Sequence, residues 1–337
     1  MTVGRLWAPV LVALAIAHTF TFSTVPWSLS QLVKALWPMN SPFAERVQQR
    51  CWDAWEREVQ DLDMAPEPLD EVDLDATPTP SLSRPFIIRG LLNGSSSAFA
   101  GEYEWLLREP VGALAVDYFS NASADDGVVP DARAPLRDIV RRIVAGGSEK
   151  VGTEMVFRTY PWLLADLLGD RKERVARLLG STAHTSASRV GTTLTVPVFM
   201  ATGAPRARTD LHCEPIGNLA LMLGGRKRWT LVEADQSRFL RPTLSPDGRA
   251  YFYSKQPTEE PEQVLRHVRR SVVDAVHGDA IWMPAWTWHR VDYYPEVTAL
   301  SVSLFHVRLE QMLAQNPLFT LLVVPNMVKE LIGWKTQ

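Results

Sequence analysis

From Val190 onward the hydrophobic period of the chain becomes two. VGTTLTVPVFMATG, NLALMLGG, KRWTLVEA, DAIWMPA and TALSVSLFHV are short apolar and β-branched runs, separated by Gly, Pro and Asp. Alternation at this period marks strands whose two faces meet different surroundings. Many short strands in series bury their edges by closing into an antiparallel sandwich or barrel. Helical spacing is confined to other parts of the chain: residues 102–108, 136–144, 161–168 and 171–179. Ser41-Pro42 opens a further helix, with Ser as cap and Pro in the first turn. Along it Phe43, Val47, Cys51, Trp55 and Val59 recur every four residues, an apolar stripe made for packing. Residues 61–83 are acidic and Pro-rich, a linker or an exposed wrap. PFIIRG at 85–90 reads as a short buried strand ending in a turn, and the apolar tail NPLFTLLVVPNMVKELIGW as helix on both sides of Pro325. The expected fold class is therefore mainly β with flanking helices.

Of the 337 residues 46% are apolar and 22% charged, globular proportions with length enough for a full core. A formal net charge of −3 gives no general attraction to nucleic acid, which is not an expected partner. Two cysteines, Cys51 and Cys213, make no disulfide framework. The N-terminus, MTVGRLWAPVLVALAIAHTF, has Arg5, an apolar run over residues 6–17 and a small-x-small Ala15-Ile16-Ala17. That is the form of a cleaved signal peptide. An uncleaved anchor over residues 6–25 is the rival, with an organelle presequence or a packed helix as further alternatives. The first two place the protein in the secretory pathway, lumenal or membrane-anchored, and the second makes residues 1–25 a membrane tether. The sequons at Asn93 and Asn121 are compatible with that address.

Within the β region, TDLHCEP at 209–215 sets His212 two residues from Glu214. Chance gives about 0.8 such H-x-[DE] pairs in this composition, and the chain has two, so surroundings must decide. In a strand His212 and Glu214 share one face and Cys213 takes the other. GDAIWMPAWTWH later supplies a short strand, Pro284 and His289. Two imidazoles and a carboxylate on one side of a metal leave its other positions open, the arrangement of non-haem Fe(II) oxygenases. The competing pair, His277-Gly278-Asp279, is turn chemistry, and Asp279 reads as a turn cap. Trp282, Trp286 and Trp288 read as core and rim, with Trp286 or Trp288 the alternatives for lining a substrate mouth. The basic run 266–270 reads as a solvated helix face, and residues 233–276 as a long charged loop on the substrate side.

The order T-x-x-H-x-[DE]-x-x-x-N, then G-x-K-R-W, then G-D-x-x-x-x-P-x-x-x-x-H resembles the JmjC/cupin-like group of Fe(II)- and 2-oxoglutarate-dependent hydroxylases, JmjC-only type. SRPFIIRG at 83–90 resembles the strand that opens the family's domain. The resemblance covers residues 83–310, leaving 1–25 as signal or anchor, 26–82 as helix and linker, and 311–337 as a helical tail suited to packing or to a homodimer contact. It implies a double-stranded β-helix (jelly roll) and the cofactors Fe(II) and 2-oxoglutarate. His212, Glu214 and His289 match the iron ligands. Lys227 matches the cation for the far carboxylate of 2-oxoglutarate, Thr209 a hydroxyl donor to it, and Asn218 an amide of the same pocket. Ser303 falls where some members place an Asn. No catalytic residue beyond the ligands is implied. The activity implied is hydroxylation of a protein or other biomolecule side chain, with a polypeptide as partner. The carboxylate departs from the pattern: most JmjC-only hydroxylases carry Asp where Glu214 stands. A catalytically silent, cupin-like binding scaffold therefore stands as the alternative.

Overall fold

The computed structural model describes residues 24–36, 42–73, 80–94, 99, 103–121, 130–179, 193–203, 207–245, 249–257 and 260–331. Two helices lead, α1 (Thr24–Leu36) and α2 (Pro42–Glu56). Next come β1 (Phe86–Ile88), the hairpin β2 (Ala115–Tyr118) and β3 (Ala132–Pro135), α3 (Leu136–Val144) and β4 (Lys150–Thr153). Three short helices follow, α4 (Met155–Thr159), α5 (Leu163–Leu168) and α6 (Lys172–Leu178). The strand-rich part runs β5 (Thr193–Thr195), β6 (Val198–Ala201), β7 (Arg208–Cys213), β8 (Gly217–Gly224), β9 (Arg226–Val232), β10 (Pro242–Leu244) and β11 (Phe252–Ser254). After α7 (Pro261–Val264) come β12 (Ser271–Val276), β13 (Ala280–Met283), β14 (Trp288–Tyr293) and β15 (Ala299–His306), then α8 (Leu309–Gln315) and α9 (Pro317–Leu331).

Apart from the β2–β3 hairpin, the described strands form two antiparallel sheets. One has the order β1-β13-β8-β15-β6-β4, with β5 also on β15; the other has the order β10-β11-β7-β14-β9-β12. Period two then builds three apolar layers. Ala220, Met222, Ile281 and Ala299 of the first sheet meet Trp229, Leu231, Val291 and Tyr293 of the second between the sheets. The other face of the first sheet, with Leu219, Leu221, Val302 and Leu304, packs on Ile139, Val140 and Ile143 of α3 and on α5 and α6. The other face of the second sheet, with Leu211, Cys213, Val232 and Trp288, packs on α1, α2, α8 and α9. This is the jelly-roll architecture expected, with helices on both outer faces. The tight β8–β9 turn needs Gly225: its φ is +66°, and a Cβ there would meet the Thr298 carbonyl oxygen at 2.2 Å.

Three elements differ from the sequence reading. The first is α1, a helix not foreseen, which is docked by Trp27, whose indole N–H donates to Pro242 O at 3.0 Å. Of residues 1–25, read as signal or anchor, 1–23 lie outside the described residues and Thr24 and Val25 open α1. Secondly, residues 233–276 are no single loop: they carry β10, β11 and β12, half of the second sheet. Charge misled there, because edge and outer strands expose one polar face. Thirdly, the run 266–270 is a turn rather than a helix face. Arg270 is buried and its Nη1 donates to the carbonyls of Met64, Leu265 and Val268. The tail is helical on both sides of Pro325 as read, with the proline inside the single helix α9. The acidic segment after α2 is pinned along the sheets, with Glu67 bridging Ser271 and Glu71 bridging Ile87.

Candidate metal centre

β7 and β14 are neighbours, and their register sets His212 directly opposite His289. The two rings lie 4.2 Å apart, centroid to centroid. One ligand atom from each of His212, Glu214 and His289 lies within 4.8 Å of the others. That is close to the ~4.2 Å diameter of a shell of ~2.1 Å metal–ligand bonds. The donor set, two imidazoles and one carboxylate, suits a divalent first-row metal.

The imidazoles are held alike. His212 Nδ1 lies 2.7 Å from Asp210 O, and His289 Nδ1 lies 3.1 Å from Thr287 O. A carbonyl only accepts, so Nδ1 is the N–H and Nε2 keeps its lone pair. Burial pushes His212 down to about 4, helped by Arg249 and Lys150. Burial and the neighbouring His212 push His289 to about 3. Both rings are thus neutral at pH 7, the form that ligates metal.

Glu214 follows β7 directly. Its carbonyl accepts the Trp286 backbone N–H at 2.8 Å, which ties its loop to the one leading to His289. Trp286 has φ +65°, unusual for a bulky residue, and its indole N–H reaches Met312 O and Thr320 Oγ1. Trp286 and Trp288 are wholly buried among the outer helices, so neither lines a mouth. Trp282 is buried on the other outer core. Asp279 is a turn cap: it accepts the backbone N–H groups of Gly90 and Val276 and an Arg89 N–H.

Thr209 poses a parity problem. In a regular strand residues three apart face opposite ways. Here two steps on β14, His289 to Val291, match three on β7, His212 to Thr209. This β-bulge turns Thr209 toward the same inter-sheet space as Val291 and His212. Lys227 on β9 lies opposite Tyr293 and is 1% exposed. Its Nζ donates to Ser301 Oγ at 2.6 Å and Phe199 O at 3.3 Å and sits 4.7 Å from the Tyr293 ring centroid. Burial holds it well below the usual lysine value, with Lys150 adding repulsion. Asn218 and Ser303 are buried on the facing sheet.

A profile of the cupin-like domain matches residues 79–310, well over half of the chain. This chain belongs to the cupin-like domain family. The match agrees with the JmjC/cupin-like resemblance of the motifs. HSPB1-associated protein 1 of Bos taurus is 32% identical over 101 residues, 28% of this chain and 21% of that protein. The Rattus norvegicus and Homo sapiens forms are 31% identical over 101 residues, with the same shares. The chain thus spans about a fifth of the length of the curated relatives it matches.

Three residues of this cupin-like domain join the site without having been singled out by motif. Ser301, two residues before Ser303, is the hydroxyl that receives the Lys227 ammonium. Trp229 lies 6.2 Å from His289, ring to ring, and its buried indole N–H has no hydrogen-bond partner among the described residues. Lys150 on β4 donates to Arg208 O at 2.9 Å, and burial lowers it to about 8. The W of G-x-K-R-W was the one available signal for Trp229. Lys150 lies on a strand whose distance in sequence hides its place beside β6.

Proposed function

We propose that this cupin-like domain is an Fe(II)- and 2-oxoglutarate-dependent oxygenase that hydroxylates a side chain of a polypeptide. The observation that carries the reading is the convergence of His212, Glu214 and His289 with both imidazoles neutral and oriented by carbonyls. Iron held there supplies the activation of dioxygen. The chain's own residues do the rest. His212 and His289 offer Nε2, and Glu214 offers the one negative charge. Lys227 presents a buried cation whose partners, among the described residues, include no acid. A buried ammonium is costly unless paired, and the far carboxylate of 2-oxoglutarate offsets that cost. Thr209, Asn218, Ser301 and Ser303 offer hydroxyls and an amide around it. Asn218 Oδ1 is buried and unpaired among the described residues, so rotation of this amide lets either end meet a ligand. Lys227, Asn218, Ser301 and Ser303 are themselves buried between the sheets.

The relatives are named for association with HSPB1, which supports a polypeptide as partner. The apolar run at residues 6–17 supports a secretory address. A second reading, a catalytically silent scaffold, draws on Glu214 in place of Asp and on relatives named for association rather than reaction. One measurement separates the two: conversion of 2-oxoglutarate to succinate by the purified chain with Fe(II), beside His212→Ala and Lys227→Ala. Turnover by the wild type that both variants lose supports the oxygenase. Neither turnover nor calorimetric binding of 2-oxoglutarate to the metal-loaded chain leaves the scaffold.

A further inference from the structure

Helices α1 and α9 lie on one core. Their Trp27 and Phe319 rings are 5.8 Å apart, and both meet Phe252, at 6.2 and 4.0 Å. Trp27, Ser30 and Gln31 of α1 and Phe319, Leu322, Val323 and Asn326 of α9 face inward and are buried. The opposite faces of both helices therefore look away from the protein together. A helix face turned to water is ordinarily polar. These are not. Val25, Leu29 and Val33 of α1, four residues apart, and Leu321, Val324 and Val328 of α9 are each 45–58% exposed.

The neighbouring α2 is the internal control. It covers the same core, yet its outward positions Glu45, Arg46, Gln49, Arg50 and Asp53 are polar and exposed. Charge is sparse on the other pair: Lys34, Lys329 and Glu330 are the charged residues in the sequences of α1 and α9, and α1 has no acid. Exposed apolar patches of this kind mark interaction surfaces. The apolar run of residues 6–17 stands a few residues before Thr24, where α1 starts. Two side-by-side helices, apolar outward and next in sequence to an apolar segment, offer the apolar side chains that an interfacial helix seats at the headgroup boundary, with Lys34 and Lys329 as the flanking cations.

We propose that the outward face of α1 and α9 is a membrane-docking platform that seats its apolar side chains in the interfacial layer of a lipid bilayer. The catalytic reading plays no part in this assignment.

The test uses the full chain with a polarity-sensitive fluorophore on Leu29→Cys or Val324→Cys, and on Asp53→Cys as control. Both native cysteines are buried, so labelling is selective. Phosphatidylcholine vesicles, with and without phosphatidylserine and a lipid-borne spin quencher, are the probe. The expected result is a blue shift and quenching at positions 29 and 324 and none at 53. In flotation, Leu29→Glu with Val324→Glu lowers the bound fraction at least tenfold, with an unchanged melting temperature. Labels at 29 and 324 that the lipid quencher leaves untouched overturn the proposal. Light scattering then names the cover, a dimer meaning a second copy and a monomer meaning the chain's own N-terminal segment.

Discussion

The two faces of β7, β9 and β14 share a backbone and little else. The face toward the first sheet carries His212, Lys227 and His289, a buried lysine with no acid beside it among the described residues and two rings kept neutral by burial. The face toward the helices carries Leu211, Cys213, Val232 and Trp288, apolar and fully packed. Leu211, His212 and Cys213 are consecutive, as are Trp288 and His289. A single residue step thus separates a group placed at a cost from a group that offsets it. Substitutions on the inner face should therefore act on binding, and those on the outer face on stability.

The sharpest way to break that comparison is at the triad. His212→Ala or His289→Ala should lower Fe(II) affinity by more than the ~100-fold that loss of a supporting partner causes, and should abolish succinate formation. The melting temperature of the metal-free chain should stay within a few degrees. Titration calorimetry and thermal melts check both halves, and tight Fe(II) binding by either variant sinks the assignment. On the outer face, Trp288→Ala should destabilise by about 3–5 kcal/mol in urea unfolding, while turnover per folded molecule holds. A variant that unfolds no more easily than the wild type would show that this layer is not what holds the sheet.

Lys227→Met sharpens the comparison by splitting its two terms. Affinity for 2-oxoglutarate should fall about 10–100-fold, the size of one lost charge-assisted hydrogen bond of ~1.5–3 kcal/mol. Stability without ligand should hold or rise, because a buried lysine with no acid beside it among the described residues is gone. A melting temperature that drops with unchanged affinity would make Lys227 structural. The smallest effect is a slope in pH. His306, on the outer face of the first sheet, is pushed by burial and Arg308 down to about 3. Above its ordinary 6.5 both states are neutral there, and stability is flat. Below 6.5 the unfolded chain takes up a proton the folded chain refuses, so stability falls as pH falls toward 3. Between pH 6.5 and 5.5 the loss is about 1 kcal/mol. His306→Asn should remove that part of the slope; histidines common to both proteins cancel in the comparison.

Much of this was legible beforehand where the signal is local. The period-two runs became β8, β9, β13 and β15 nearly residue for residue, and 136–144 became α3, because an amphipathic pattern is read within a few neighbours. The pairing of His212 with Glu214, and the opposite turn of Cys213, also follow from strand parity. Misreadings came where polarity stood in for exposure. Residues 233–276 looked like a loop because of their charge, and Arg270 looked solvated although three carbonyls surround its guanidinium.

What the chain's sequence determined by itself is which side chains alternate along each strand, and so which groups are able to share a face. What only the tertiary structure decided is register and depth. The pairing of β7 with β14 sets His212 against His289 across 77 residues, and the bulge between them turns Thr209 inward. The same packing buries Lys227 against Ser301 and leaves α1 and α9 with apolar outer faces. No local propensity encodes these, because each depends on the fit of distant strands around one shared interior.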